Sequence, residues 1–446
     1  MRVKILLVLF CSMLANAKTI LTQPDLSKIN INYEKYSLPN GLEVILSPDK
    51  STNFVTINIW YKVGSIHEKP NKTGLAHLFE HLMFEGSKHY AQDQHFKILE
   101  RIGASNINAS TSFDKTNYYE TVFQDDLEIG LSMESSRMGF LVLNDAKRKE
   151  QLAVVRRERE VRYETRPYAQ AGLSLWQQVF APSDPRYGYV IGSHRDLENA
   201  RLKDLQSFYN ENYGPTNASL ALVGNFDVDT AKNLINKYFG TLPKNDKIID
   251  PKLPIINFNK EEIVTYQDRL ASVPLIRIFY TSPGLYKEGD AAMDVIAHAL
   301  GNGQFSRLYN SLVREAKIAS SVNAYQQSMQ GQSFFGIDVT PAPGVSSEAI
   351  IEKVDEVLQA LSTKGITDVE LQRARNSILT TYFFGLQGLQ NRAEILQTYN
   401  LYTSNPGFIQ KDLARYYSLT LPNLISMAKE FLPIKTNRKI LVVLPK

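Results

Sequence analysis

The amino-acid sequence predicts an α+β protein of two homologous halves, each an α/β-roll with a mostly antiparallel sheet and helices packed on it. Two observations predict this. A strand, two helices and another strand recur in the same order from about residue 55 and from about residue 275, and each copy closes on a helix, an Asn and an apolar strand. Between the copies lies TLPKNDKIIDPKLPIINFNKEE, residues 241–262, with three prolines, many charges and no helical period. Ordered recurrence of this kind reads as an internal duplication, and the intervening composition reads as a linker. The expected divisions are a leader at 1–17, a first half at 18–240, the linker at 241–262 and a second half at 263–446.

The first half opens with Leu38-Pro39-Asn40-Gly41-Leu42, where Asn-Gly between extended runs predicts a hairpin. Val55, Ile57, Ile59 and Tyr61 alternate and predict a strand. A helix follows from about Gly74 to Glu85, with Thr73 as its expected N-cap and Gly86 as its stop. A second helix covers about Gln92 to Ile102, and Ile107, Ala109, Thr111 and Phe113 share one face of a strand. In the second half, Leu275 to Thr281 predicts a strand and Asp290 caps a helix to about Leu300. Phe305 to Lys317 predicts a further helix, and a strand begins at Ala319. The closing strands, Leu220–Val223 and Ile440–Val443, are each expected to start three residues after an Asn, at Asn217 and Asn437.

Residues 1–17, MRVKILLVLFCSMLANA, have the layout of a secretory signal peptide. Arg2 and Lys4 are basic, Ile5 to Leu14 are apolar, and Ala15-Asn16-Ala17 is a cleavage signal. The run is too short to span a bilayer, which takes about 20 apolar residues. Cleavage removes the single Cys, Cys11, so no disulfide or thiolate metal cage is expected. The mature chain is expected to be exported, to the periplasm, with no membrane span. A net charge of +4 over 446 residues gives no reason to expect nucleic acid as a partner. No P-loop, dinucleotide fingerprint or G-x-S-x-G elbow occurs.

The chemistry concentrates in LAHLFEHLMF, residues 75–84. Leu75, Leu78, Phe79 and Leu82 form one helical stripe, and His77, Glu80, His81 and Phe84 form another. A helix apolar nearly all round is buried, and buried imidazoles and carboxylates must be paired or ligate a metal. His77 and His81 are one turn apart on one face, so both can reach one ion. Zn²⁺ suits that pair. Glu80 can reach a water at the metal without ligating it. This is H-x-x-E-H, the inverted metalloprotease motif. Of the other histidines, His89, His95, His194 and His298 read as surface or satisfied core residues, and a supporting role is open to His67. A catalytic zinc needs a third protein ligand. In KEQLAVVRREREVRYETRP, Glu158 follows Leu152 and Val155 on one helical face, with Glu160 and Glu164 as rivals. The arginines there, Arg156, Arg157, Arg159 and Arg162, read as a solvated charged face.

HLFEHLMFEGS, with the Glu of VVRRE 77 residues on, resembles the pitrilysin/insulysin/mitochondrial processing peptidase family of inverzincins. NASTSFDKTNYYET, RPYAQAG, YGYVIGS, YGPTNASLALVGNF and GNGQFSRLYNSLVREAKIASSV resemble its other landmarks, so the likeness covers nearly the whole mature chain. It implies a zinc endopeptidase or oligopeptidase that acts on extended peptides, with two halves closing like a clamshell over the peptide. It also implies His77, His81 and Glu158 as zinc ligands and Glu80 as general base. The strand bearing Asn108, Ala109, Ser110 and Thr111 is implied to pair with substrate. Two positions depart from the family pattern. Gln151 stands where many relatives carry Glu, which weakens the support of the metal site. Val313 and Ser320 stand where the family's second domain carries an Arg and a Tyr that reach the peptide. The chain therefore resembles the zinc-bearing member of a pair, a homo- or heterodimer whose related subunit supplies the Arg/Tyr pair. A catalytically weak or inactive peptide-binding or assembly subunit is the alternative.

Overall fold

The structure, a computed structural model, describes residues 25–446 apart from residue 247; the expected leader lies outside the described residues. Among the described residues the strands form two mixed sheets. The first contains β1 (Glu34–Ser37), β2 (Glu43–Pro48), β3 (Phe54–Tyr61), β4 (Ser105–Thr111), β5 (Thr116–Phe123) and β6 (Ala218–Gly224), in the order β1-β2-β6-β3-β5-β4. The second contains β7 (Glu261–Asp268), β8 (Leu275–Pro283), β9 (Ala319–Gln327), β10 (Gln332–Pro341) and β11 (Arg438–Pro445), in the order β7-β11-β8-β10-β9. Each sheet has one parallel pair, β2–β6 or β7–β11, and is otherwise antiparallel. From β2 and from β7 onward the two orders are the same, so the duplication read in the sequence is present in the topology. β1 is the additional strand, joined to β2 by the Asn40-Gly41 turn with Gly41 at φ +97°.

Local chemistry moves several boundaries. β6 and β11 begin directly after Asn217 and Asn437, not three residues later. Each Asn ties the connecting segment to its strand. Asn217 donates to the carbonyl of Asp246 and accepts from the N–H of Ile248, and Asn437 accepts from the N–H of Phe258. The second helix of the first half starts at Gln94. The helix expected over 305–317 is mainly a π-helical turn, Tyr309–Glu315.

Alternation along the strands sorts side chains to two faces. Val44, Leu46, Leu220 and Leu222 enter the core between the first sheet and its own helices. Ile45, Ala221 and Val223 point the other way and meet Ala393 and Leu396. Those two lie on the helix Leu389–Thr403, which crosses from the second half to cover β3 and β6. The exchange runs both ways. The helix Ala169–Val179, from the first half, packs on β7 and β11 and places Leu175 and Trp176 against Phe279, Phe334, Leu441 and Val443. Polar bonds line the first junction: Glu394 accepts from Asn58 and Asn117, and Gln397 donates to the carbonyls of Asn58 and Ser219.

Candidate metal centre

The sequence LAHLFEHL folds as the helix Leu75–Leu82, with Leu75, Leu78, Phe79 and Leu82 buried in the first core. Its start differs from expectation, because the position before the first turn is taken by Gly74 at φ +90° and not by Thr73. Gly192, at φ +73°, lies against it so closely that a Cβ there would sit 2.5 Å from the Gly74 Cα. Thr73 spends its N–H and hydroxyl on Asp196 instead. Glu68 closes the helix end, its two oxygens accepting the N–H groups of Gly74 and Ala76 at 2.8 Å each. An acid there also suits the helix dipole. The Tyr118 hydroxyl donates to the carbonyl of Phe79 at 2.9 Å and ties the helix to β5.

Glu158 arrives on a separate helix, Asp145–Arg159, capped by Asn144 and anchored by buried Leu152 and Val155. Its Oε2 lies 3.6 Å from His77 Nε2 and 3.3 Å from His81 Nε2. The imidazole centroids are 5.0 Å apart with the rings at 74°. A tetrahedral ion with bonds of about 2.0–2.2 Å holds its donors about 3.3–3.6 Å apart, so the spacing fits zinc. Charge state fits as well. Burial, helped by the neighbouring His81, pulls His77 down to about 4, so its ring is neutral and able to ligate at pH 7. The hydrogen bond with His81, then His77 and Arg162, holds Glu158 below the usual carboxylate range. Glu160 and Glu164 are drawn elsewhere, Glu160 to Arg157 and Glu164 to Arg159 and His194.

Glu80 shares the helix face of His77, with Oε2 4.0 Å from His77 Nε2. Thr111 donates its hydroxyl to that oxygen at 2.6 Å. Burial raises the Glu80 carboxyl above its ordinary value, and the Thr111 bond opposes the rise. Thr111 ends β4, the edge strand of the first sheet, on which Asn108, Ala109 and Ser110 also lie. Ser110 donates to Asn117 on β5.

Several residues read differently from the sequence. Arg162 is not merely solvated: its Nη1 forms an ion pair with Glu158 Oε1 at 2.9 Å. His67 is engaged by the Gly64 N–H and by Asp250. His95 is neither exposed nor satisfied. It is buried beside Glu120 and Glu134, and its Nε2 has no partner among the described residues. The cation of that second group is already present, since Arg137 donates to Glu134 and lies 3.8 Å from Glu120. Gln151 donates to Glu85 at 2.8 Å, and His77 Nδ1 has no partner among the described residues, so packing rather than a hydrogen bond orients that ring. Ser320 spends its hydroxyl on the carbonyl of Thr340, and Val313 packs on the second core. From Arg162 a cleft of about 340 Å³ runs between the halves past Tyr163, Tyr168, Trp176, Tyr189, Phe279 and Tyr325. These aromatics are scattered along the chain, and no local pattern could have gathered them.

The second half carries the counterpart of the motif helix. Asp290–Gly301 also starts after a left-handed glycine, Gly289 at φ +88°. Counted from that glycine, the positions of His77, Glu80 and His81 are held by Ala292, Val295 and Ile296, all buried. The duplicate has no donors there.

Comparison with known proteins gives consistent findings. Residues 43–171 match the family described as Insulinase (Peptidase family M16), and residues 199–378 match the Peptidase M16 inactive domain. The chain is 27% identical over 404 residues to the zinc protease PqqE of Helicobacter pylori, covering 90% of each chain. It superposes on the crystal structure of a protease from Helicobacter pylori with a TM-score of 0.86 and 25% identity, over 94% of this chain and 100% of that one. The periplasmic protease PqqL from Escherichia coli shares the fold with a TM-score of 0.78 and 18% identity, over 96% of this chain and 48% of the other.

Proposed function

The chain belongs to peptidase family M16, and on that premise we propose that it is a zinc-dependent peptidase subunit that hydrolyses extended peptides. The observation that carries this reading is the spacing of His77 Nε2, His81 Nε2 and Glu158 Oε2, which suits one tetrahedral divalent ion. Those three residues would hold the zinc. When bound, it supplies Lewis-acid polarisation and makes water acidic enough to be a nucleophile near neutral pH.

The remaining work falls to the chain's own groups. Glu80 is the general base: its carboxylate takes a proton from the attacking water and returns it to the leaving amine. Thr111 steadies Glu80 Oε2 for that task. The outer edge of β4 offers N–H and C=O groups to which an extended peptide adds as a strand. Because Thr111 belongs to that edge and bonds Glu80, the same strand fixes both the peptide register and the base. Main-chain recognition of this kind favours unfolded peptides of varied sequence.

Val313 and Ser320 stand at the positions where the family's second domain carries its Arg and Tyr, which supports a related subunit bearing that pair as the partner that completes the site. PqqL, twice as long with the same fold, is consistent with two such units acting together. The leader expected from the sequence and the likeness to the periplasmic protease PqqL support export to the periplasm. A subunit that binds peptides without cleaving them is the second reading, and the same Val313 and Ser320 favour it.

The test is metal analysis of the purified chain, followed by cleavage of a short unstructured peptide with and without the Arg/Tyr-bearing partner. One zinc per chain is expected, with cleavage abolished by a chelator and restored by added zinc. A chain that takes up no zinc overturns the reading, and one that binds zinc and peptide yet cleaves nothing even with the partner establishes the second.

A further inference from the structure

We propose that Arg162 fixes how Glu158 meets the metal: by occupying one carboxylate oxygen, it leaves only the other for the ion. The inference rests on the zinc reading above and adds a positioning residue to it. The two oxygens of Glu158 are divided. Oε1 is ion-paired with Arg162, whose Nη1 lies 2.9 Å away, and Oε2 is the oxygen facing both imidazoles.

The backbone is built around this division. The helix that carries Glu158 ends at Arg159 and passes into a π-helical turn, Glu160–Glu164, closed by the Thr165 N–H on the carbonyl of Glu160. Single π turns within helices are rare and concentrate at functional sites. The neighbouring arginines each take a different acid: Arg156 takes Glu198, Arg157 takes Glu160 and Arg159 takes Glu164. Arg162 alone reaches the carboxylate between the histidines. Its side chain is 61% exposed, so the guanidinium comes in from the solvent side and does not hold the core together.

The consequence is a count of donor atoms. A carboxylate can grip a cation with one oxygen or with both. Two imidazoles and one oxygen give three protein donors, the number a catalytic zinc site uses while keeping a position open. With both oxygens released, Glu158 can swing to offer a fourth protein donor beside the solvent position, which would make the site five-coordinate. Arg162 prevents this, and no other cationic side chain is paired with Glu158 Oε1 among the described residues.

Cobalt(II) substitution reads the donor count directly, because four-coordinate cobalt absorbs visible light several times more strongly than five-coordinate cobalt. The full chain and its Arg162→Gln and Arg162→Lys variants are loaded with one Co²⁺, their visible spectra recorded, and their zinc affinities measured by chelator competition. Arg162→Gln should keep the parental melting temperature and lose the visible absorption per cobalt several-fold. Arg162→Lys, which retains a donor, should restore most of the parental spectrum. An unchanged spectrum in Arg162→Gln at equal cobalt occupancy overturns the inference, whether or not the affinity moves. A parent chain that binds no metal overturns the zinc reading and this inference together, whereas a parent that binds metal with a spectrum indifferent to residue 162 overturns this inference alone.

Discussion

Glu80 and Glu158 are two carboxylates a few ångströms from the same imidazoles, and their neighbours give them opposite tasks. The histidine rings, with Arg162, hold Glu158 in its charged form, the form able to ligate a metal, while burial works against charge on Glu80. Glu80→Gln keeps the shape of the side chain and leaves all three donors in place. It should therefore retain zinc and lose peptide cleavage by about 10²–10⁴-fold, measured as turnover at equal metal content; parental turnover would remove Glu80 from the base role. The sequence exposes His77, Glu80 and His81 together because their relation is confined to one helix turn. It leaves Glu158 in competition with Glu160 and Glu164, since all three sit within one charged stretch and only tertiary partners separate them. Arg162 is invisible in the pattern, because a π turn has no hydrophobic period to announce it.

At the level of elements, the strands are legible because half-buried sheets force alternation, and the Asn-Gly hairpin is legible because its turn needs left-handed backbone. Helix ends are less so. The motif helix begins at a glycine pressed against a second glycine 118 residues away, a requirement of packing between distant segments rather than of local capping. Gly192→Ala places a Cβ 2.5 Å from Gly74 Cα at a residue with φ +73°. Residues held in such conformations cost about 1–3 kcal/mol, so the variant should melt at a lower temperature by scanning calorimetry. Its metal uptake should fall as well, because the shift begins at the turn that aims His77. The Glu68 cap escapes sequence reading for a related reason: the acid stands before a loop, six residues from the first N–H it satisfies.

Across the whole molecule, the duplication is legible in the order of elements, and the shared strand order of the two sheets agrees with it. The exchange of helices between the halves is not legible, because an amphipathic helix carries no label for the sheet it will cover. Leu396, fully buried against the first sheet, tests this junction. Leu396→Ala should cost about 2–5 kcal/mol. Trp60 on β3 and Trp176 on the helix over the second sheet are the two tryptophans of the chain, and single-Trp versions should report coincident urea transitions. Separate transitions would show that the junction does not couple the halves. Each sheet borrows its roof from the other repeat, so neither repeat is a spare part. Cut apart at the connecting segment, each would bare a flank of Ile45, Ala221 and Val223 or of Leu441 and Val443. A gene for one repeat alone would yield a sticky fragment, and two fused repeats are the smallest unit from which such a protein can be inherited, shuffled or paired.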